Sequence, residues 1–484
     1  MQYFRFHGKI AGYAYPKVNE GRSKKMEKRE SLSSRLGFIL LSAGCAIGIG
    51  NVWRFPYITG QYGGGFFVLI YIICLLALGI PVLTMEYAVG RASRTSILPA
   101  FRKLEKPGTK WHIWGYFAMA GNYVILFFYS VVSGWILYYA FRMFTGAFEG
   151  TAEESAAAAE RTFHEMMASP KILIVSMLIV VAITAVVCSI GLQNSVEKVS
   201  KVIMLALLLL MIVLGVRSLT LNGSSRGLAF YLKPNAASIR ENGLFNVVYA
   251  ALNQSFFTLS VGMGGMEIYG SYIDRKNSLA GEAVIVTALD TFVAIVAGLI
   301  IFPACYAFGI SPDSGPSLIF KTLPPVFAGM PGGRIWGSLF FLFLFFAALS
   351  TMIGVFENDQ AFLIDLRGMK RQKAGIINGI VIAVMSVPCA LGFNVWSGFH
   401  PLRAGNTVMD LEDFFVSNFV LPVGSLIFCM FCCWKYGWGF ENYIREVNTG
   451  RGLKLPRILR FYFKYILPVI IALLVGRGLY LYFK

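Results

Sequence analysis

The chain has 484 residues, 56% of them hydrophobic and only 14% charged, with a mean hydropathy of +0.64. A soluble protein carries about 25% charged residues, so a water-soluble enzyme is excluded and a polytopic membrane protein with almost no soluble domain remains. The net charge of +18 sits mainly in short segments between apolar runs, where it reads as membrane topology rather than as a nucleic-acid footprint.

Residues 1–30 are polar and basic, and the first apolar run, from Leu36, is long enough to be a span rather than a cleavable signal. Met26 opens MEKRESLSSRLGF and could be the true start, leaving residues 1–25 as a tail or a translation artefact. Residues 1–35 are therefore read as an N-terminal tail. Apolar runs of bilayer-crossing length then predict eleven spans: 36–60, 66–90, 111–144, 171–190, 196–219, 243–272, 281–309, 335–365, 374–393, 411–434 and 459–483.

The loops between them alternate in charge. Segment 91–110 carries Arg91, Arg94, Arg102, Lys103, Lys106 and Lys110, whereas 145–170 is acidic. Arg367, Lys370, Arg371 and Lys373, and the tract 435–460, are basic again. A cytoplasmic N-terminus places all the richest basic loops inside, as the positive-inside rule requires, and an odd span count leaves Lys484 outside. The loop 220–242, with Arg226, Lys233 and Arg240, is a mild exception.

Span 1 contains GCAIGIGNVWRFP (44–56), with three glycines, an Asn and an Arg in an apolar helix. A helix in lipid must satisfy its own backbone, so such a stretch reads as a helix broken on purpose, its freed carbonyls and N–H groups left to coordinate a ligand. Five spans later FFTLSVGMGGM (256–266) breaks span 6 in the same way. Close packing through small residues explains the glycines, but not Asn51, Arg54, Thr258 and Ser260 beside them. Paired breaks predict two inverted halves, 36–220 (spans 1–5) and 243–434 (spans 6–10), with 435–484 adding a cytoplasmic loop and span 11.

The eight cysteines lie in or beside apolar segments and offer no convincing extracellular pair, and the four histidines are scattered. No structural disulfide or zinc site is expected.

GNVWRFPYITGQYGGGFF (50–67), GIPVLTMEYAVGR (79–91), SFFTLSVGMGG (255–265), FFAALST (345–351) and DLEDF (410–414) together resemble the neurotransmitter:sodium symporters. The likeness is to eleven-span bacterial amino-acid transporters and covers nearly the whole chain. It implies an all-α polytopic protein of the leucine-transporter fold, a 5+5 inverted repeat with discontinuous spans 1 and 6 plus span 11. It implies no enzyme activity, and a bacterial inner-membrane location.

The resemblance carries site residues with it. A first sodium would be held by Ala46, Asn51, Thr258 and Asp290. A second would take the carbonyls of Gly44, Ile47 and Ala347 and the hydroxyls of Ser350 and Thr351. The substrate would be an L-amino acid. Its carboxylate would meet the N–H groups of Ile49 and Gly50, at the positive end of a half-helix, beside the Tyr129 hydroxyl. Its ammonium would meet the carbonyls of Ala46, Phe257 and Thr258 and the Ser260 hydroxyl. Ile125, Tyr129, Phe257, Met263, Thr351 and Val355 would line an uncharged side-chain pocket, suited to hydrophobic or aromatic amino acids. Arg54 and Asp413 with Phe257 would form an outer gate, and Arg29, Tyr272 and Asp365 an inner one.

Several positions depart from the family pattern. Asp290 stands where Asn is usual and Ala294 carries no carboxylate, so Asp290 is expected to replace the chloride that animal members need. Span 5 has Ser195 and Leu205 in place of a Gly and Pro pair, and Leu32 replaces a Trp of the inner gate. Gly48 stands where amine transporters carry Asp and leaves room for a carboxylate. The expected function is sodium-coupled import of a hydrophobic or aromatic L-amino acid by alternating access, with two sodium ions and no chloride requirement. A biogenic-amine transporter and a non-transporting amino-acid receptor on the same fold remain as alternatives. A lipid bilayer is the expected surrounding, no nucleic acid is a partner, and the protein is a monomer or weak dimer.

Overall fold

A computed structural model describes residues 30–235, 242–308 and 318–483. The predicted tail with Met26 and Arg29, and also Arg240 and Lys484, lie outside the described residues. The described chain is a bundle of helices with two isolated β-bridges, Gly64 to Pro234 and Asn277 to Arg451.

Among the described residues nine helices are long and apolar enough to cross a membrane. They are span 2 (Gly65–Ser93), span 3 (Ile113–Phe144), span 4 (Pro170–Ile190), span 5 (Leu192–Leu219), span 7 (Leu279–Ala307), span 8 (Gly333–Arg367), span 9 (Arg371–Leu391), span 10 (Val408–Cys433) and span 11 (Arg457–Gly478). Span 1 is a pair of helices, Arg35–Ala46 and Gly50–Gln61, bent by 54° at the break. Span 6 is likewise two pieces, Leu244–Thr258 and Gly265–Tyr272.

The boundaries have local causes. Ser34 caps span 1 by accepting the Gly37 N–H, and Ser169 with Pro170 starts span 4. Span 5 begins four residues before its predicted start, with a wide turn over Leu192–Val196 entered through Gly191. Leu205, at the position where a Pro was absent, points outward with 58% of its surface exposed.

The bundle is inside-out relative to a soluble protein. Leu69, Ile73 and Leu76 of span 2, and Val202, Leu209 and Val216 of span 5, are exposed on its flanks, the surface a bilayer would cover. Polar side chains instead gather inside: Asn51, Glu86, Asn122, Thr258, Asp290 and Glu357 are buried. Span 8 packs along span 3 and span 4, and the two helices of span 1 sit against spans 7 and 8. Span 2 and the second piece of span 6 cross closely at Gly90, where a Cβ would come within 1.8 Å of the Glu267 carbonyl oxygen.

Shorter helices outside the spans cover the two ends. Ile97–Leu104 and Phe440–Val447 lie on the face where the described chain begins, here the N-terminal face. Arg91 is buried there, donating to Glu446 Oε1 at 2.7 Å and to the Asn277 carbonyl at 2.7 Å. On the opposite face Ala152–Ala168 packs on Ile319–Ala328, where Phe320 lies 4.9 Å from Tyr139 ring to ring.

Candidate functional site

The two breaks face each other in the middle of the bundle. In span 1 the helix stops at Ala46 and resumes at Gly50. In span 6 the chain turns through Ser260, Gly262 and Gly264, all with positive φ (50°, 107° and 75°). Glycine tolerates that region without strain; Ser260 is held there by its surroundings.

Gly48 is the tightest point of the first break. A Cβ there would lie 2.3 Å from the Tyr129 hydroxyl and 2.4 Å from Thr351 Oγ1. The next residue, Ile49, donates its backbone N–H to the Tyr129 hydroxyl at 2.8 Å. A half-helix N-terminus and a buried phenol thus meet at one spot.

On one side of this spot lies an acidic cluster. Asn51 Nδ2 donates to Asp290 Oδ1 at 2.7 Å and to Thr258 Oγ1 at 2.9 Å. Thr258 in turn donates to Asp290 Oδ2 at 3.1 Å. Asn51 Oδ1 accepts the Gly48 N–H at 3.1 Å, tying the cluster to the break. All three side chains are buried, so the Asp290 carboxylate has donors but no paired cation among these contacts.

On the other side is a cluster of neutral oxygens. Ser350 Oγ donates to the Ala347 carbonyl at 2.9 Å and to the Ile47 carbonyl at 3.3 Å. Thr351 Oγ1 reaches the Ile47 carbonyl at 3.2 Å and the Gly44 carbonyl at 3.4 Å. The structure therefore brings together Gly44, Ile47, Ala347, Ser350 and Thr351, which are three hundred residues apart in sequence at the extremes.

A cavity of about 420 Å³ opens above the break on the face opposite Glu30, with Ile49, Gly50, Tyr129 and Phe257 at its lining. Phe257 lies on Gly50, where a Cβ would meet its ring at 2.8 Å. The Arg54 guanidinium stacks 4.0 Å over that ring and stands 3.8 Å from Asp413 Oδ1. Ser417 joins them, accepting from Arg54 at 3.1 Å and donating to Asp413 at 2.7 Å. Ile125, Met263 and Val355 are buried and do not line this cavity.

Residues 29–171 and 159–483 match the family model described as the Sodium:neurotransmitter symporter family. The chain belongs to the sodium:neurotransmitter symporter family. Two relatives of this symporter are named uncharacterized sodium-dependent transporters. One, YhdH of Bacillus subtilis, is 36% identical over 406 residues, 84% of this chain and 88% of the relative. The other, of Methanocaldococcus jannaschii, is 32% identical over 468 residues, 93% of this chain and 90% of the relative. The crystal structure of MhsT in complex with L-phenylalanine is 35% identical and matches with a TM-score of 0.83, covering 93% of this chain and 100% of that one. The symporter is therefore a sodium-dependent membrane transporter with the leucine-transporter fold, and not an enzyme.

The sequence reading of this symporter missed several residues at the breaks and gates. Glu86 of span 2 accepts backbone N–H groups of Gly262, Met266 (3.0 Å) and Glu267 (3.2 Å), capping the second piece of span 6. Gln254 donates to the Gly50 carbonyl at 3.0 Å, bridging the two broken spans. On the N-terminal face Tyr272 donates to Glu357 Oε1 at 2.8 Å, and Glu357 also takes Arg371. Asp365 accepts the Ser96 N–H at 2.6 Å. Tyr272 and Asp365 thus have partners beyond the predicted trio, whose third member, Arg29, lies outside the described residues. The signal was present: Glu86 and Glu357 are acidic residues in apolar spans, and such residues are functional candidates by default.

Proposed function

We propose that the chain imports a hydrophobic or aromatic L-amino acid together with sodium, by alternating access. The observation that carries this reading is the span 1 break itself, held between an acidic oxygen cluster and a neutral one. Freed carbonyls, hydroxyls and one carboxylate suit a hard monovalent cation, and a half-helix N-terminus suits a carboxylate.

In this reading a first sodium takes Ala46, Asn51, Thr258 and Asp290, and a second takes Gly44, Ile47, Ala347, Ser350 and Thr351. Asp290 supplies the negative charge, so chloride is not required. The substrate carboxylate binds at Ile49 and Gly50 beside Tyr129, and its ammonium at Ala46, Phe257, Thr258 and Ser260. Gly48 leaves the space for that carboxylate.

Ile125, Met263, Thr351 and Val355 receive the substrate side chain. These carry no charge, and Met263 adapts to varied shapes, which favours apolar and aromatic amino acids. The complex of MhsT with L-phenylalanine supports the same class.

Arg54, Asp413 and Phe257 close the outer side, with Ser417 bridging the pair. Tyr272, Asp365 and Arg29 close the inner side, with Glu357 and Arg371 added to them. Basic loops set the N-terminus in the cytoplasm and the C-terminus outside a bacterial inner membrane. The two halves are residues 36–220 and 243–434, and the protein works as a monomer or weak dimer.

Uptake of a labelled amino-acid panel into proteoliposomes tests the reading. Sodium-dependent accumulation of phenylalanine, tyrosine, tryptophan or leucine is expected, with potassium unable to replace sodium. Binding without accumulation would point instead to a receptor.

A further inference from the structure

Span 8 carries a carboxyl that neither the ion clusters nor the gates use. Asp359 is fully buried, and neither of its oxygens has a hydrogen-bond partner. Its neighbour Asn358 is buried with both amide atoms unpartnered, and Asn378 of span 9 is buried with Nδ2 unpartnered. Three other buried carboxyls differ: Glu86 holds three backbone N–H groups, Asp290 holds Asn51 and Thr258, and Glu357 holds Tyr272 and Arg371. A carboxylate shut in a membrane bundle without donor or cation is among the costliest arrangements a protein can hold.

Its position matters as much as its isolation. Asp359 follows Val355 by four residues, one helical turn nearer the N-terminal face. Helical side chains lean toward the helix N-terminus, so the Asp359 carboxyl leans back toward the turn of Val355. From span 3, Tyr123 lies within electrostatic reach of Asp359 and donates its hydroxyl to Asn378 Oδ1 at 2.6 Å.

Three nearby titratable groups have partners elsewhere. Arg371 of span 9 pairs with Glu357 and Glu30, the Cys188 thiol of span 4 donates to the Ile353 carbonyl, and Asp365 takes Ser96. Among the described residues no cationic side chain pairs with Asp359, whose oxygens are both unpartnered.

We propose that Asp359 is a proton-binding site tied to the closure of the inner side. It carries a proton while that side is closed and loses it when opening admits water. The O–H bond then breaks, the proton passes to water, and the hydrated carboxylate remains. Closure requires the carboxylate to take a proton back before it is buried again. Opening thus releases one proton, so an alkaline cytoplasm favours the open inner side and an acidic one the closed. This rests on the transport reading and on the cytoplasmic placing of the N-terminal face.

Infrared spectroscopy of the full chain in lipid, titrated over pH in water and in deuterium oxide, reads the proton without transport. Wild type should show a protonated-carboxyl band at neutral pH that is missing from Asp359→Asn. In proteoliposomes, sodium-driven uptake should vary with lumenal pH at fixed external pH, by up to about tenfold per pH unit, the limit for one linked proton. Asp359→Asn should flatten that profile and Asp359→Glu should keep it. Identical carboxyl bands in wild type and Asp359→Asn, or superimposable pH profiles, overturn the proposal. If Asp359→Asn does not fold, Asp359→Glu decides: a moved carboxyl band supports the site and an unmoved one removes it. If wild type takes up no amino acid, the transport reading fails while the infrared arm still judges Asp359.

Discussion

On one side of the span 1 break, Asn51 and Thr258 direct donors at the Asp290 carboxylate; on the other, Ser350 and Thr351 direct theirs at backbone carbonyls. The first cluster holds a buried carboxyl whose partners among these contacts are two neutral donors. The second is neutral, and its hydroxyls are satisfied without any ion. The difference assigns the two clusters different work. On the proposed reading Asp290 is ionised and the first cluster calls for a cation, because ionised groups in low dielectric are strongly disfavoured alone. The second costs little when empty, and its bonds run between the first half of span 1 and span 8, so it joins two elements as well as offering oxygens.

The largest break in this comparison should come from Gly48, which both clusters flank. Gly48→Ala puts a methyl 2.3 Å from the Tyr129 hydroxyl and 2.4 Å from Thr351 Oγ1. Overpacking of this kind costs about 1–3 kcal/mol, and here it falls at the proposed site of the substrate carboxylate, so uptake should be lost while the protein still folds. Normal uptake by this variant would show that the break relaxes freely.

Next comes the charge itself. Asp290→Asn keeps the shape and removes the charge, and a hydrogen bond to a charged group is worth about 1.5–3 kcal/mol. Sodium affinity measured in chloride-free buffer should fall by about tenfold to about a hundredfold, with added chloride restoring part of it. Unchanged chloride-free affinity would remove Asp290 from the ion site.

The neutral cluster should respond less steeply to a single change. Thr351→Ala deletes hydroxyl contacts to Gly44 and Ile47, a loss of about 1 kcal/mol for neutral bonds. Sodium affinity should weaken by about fivefold, and hydrogen exchange over Arg35–Ala46 should rise because span 1 is less tied to span 8. Affinity loss without faster exchange would assign the cluster to ion binding alone.

The smallest effect is expected at the outer pair. Arg54 and Asp413 are 23% and 43% exposed at the side chain and 3.8 Å apart, and exposed pairs contribute about 0.2–1 kcal/mol. Asp413→Asn should change uptake by less than about fivefold, with the difference from wild type shrinking at high salt. A larger, salt-independent loss would mean that Ser417 and Phe257 depend on the pair for their placement.

Much of this was legible in the chain. The breaks announced themselves because Gly44, Gly48 and Gly50, and Gly262, Gly264 and Gly265, stand where a lipid-spanning helix should not be interrupted. Asn51, Thr258, Asp290, Ser350 and Thr351 were marked by their polarity in apolar surroundings and by the family pattern. Gln254 and Asn122 were not, although Asn122 donates to the Met263 carbonyl at 2.7 Å. A single amide in a long span gives no hint of which backbone group it will meet.

By itself the sequence determined that the chain crosses a membrane many times, where spans 1 and 6 break, and which polar side chains must be hidden from lipid. Local rules suffice for these, since length, glycine content and charge act on neighbouring residues. Only the tertiary structure decided that Glu86 caps span 6, that Glu357 takes both Tyr272 and Arg371, and that Asp359 takes none among the described residues. A membrane helix is apolar on every side, so periodicity does not reveal its inner face: Met204 is buried while Leu205 beside it is exposed. Which polar groups meet is then fixed by how whole helices pack, through contacts between residues far apart in the chain.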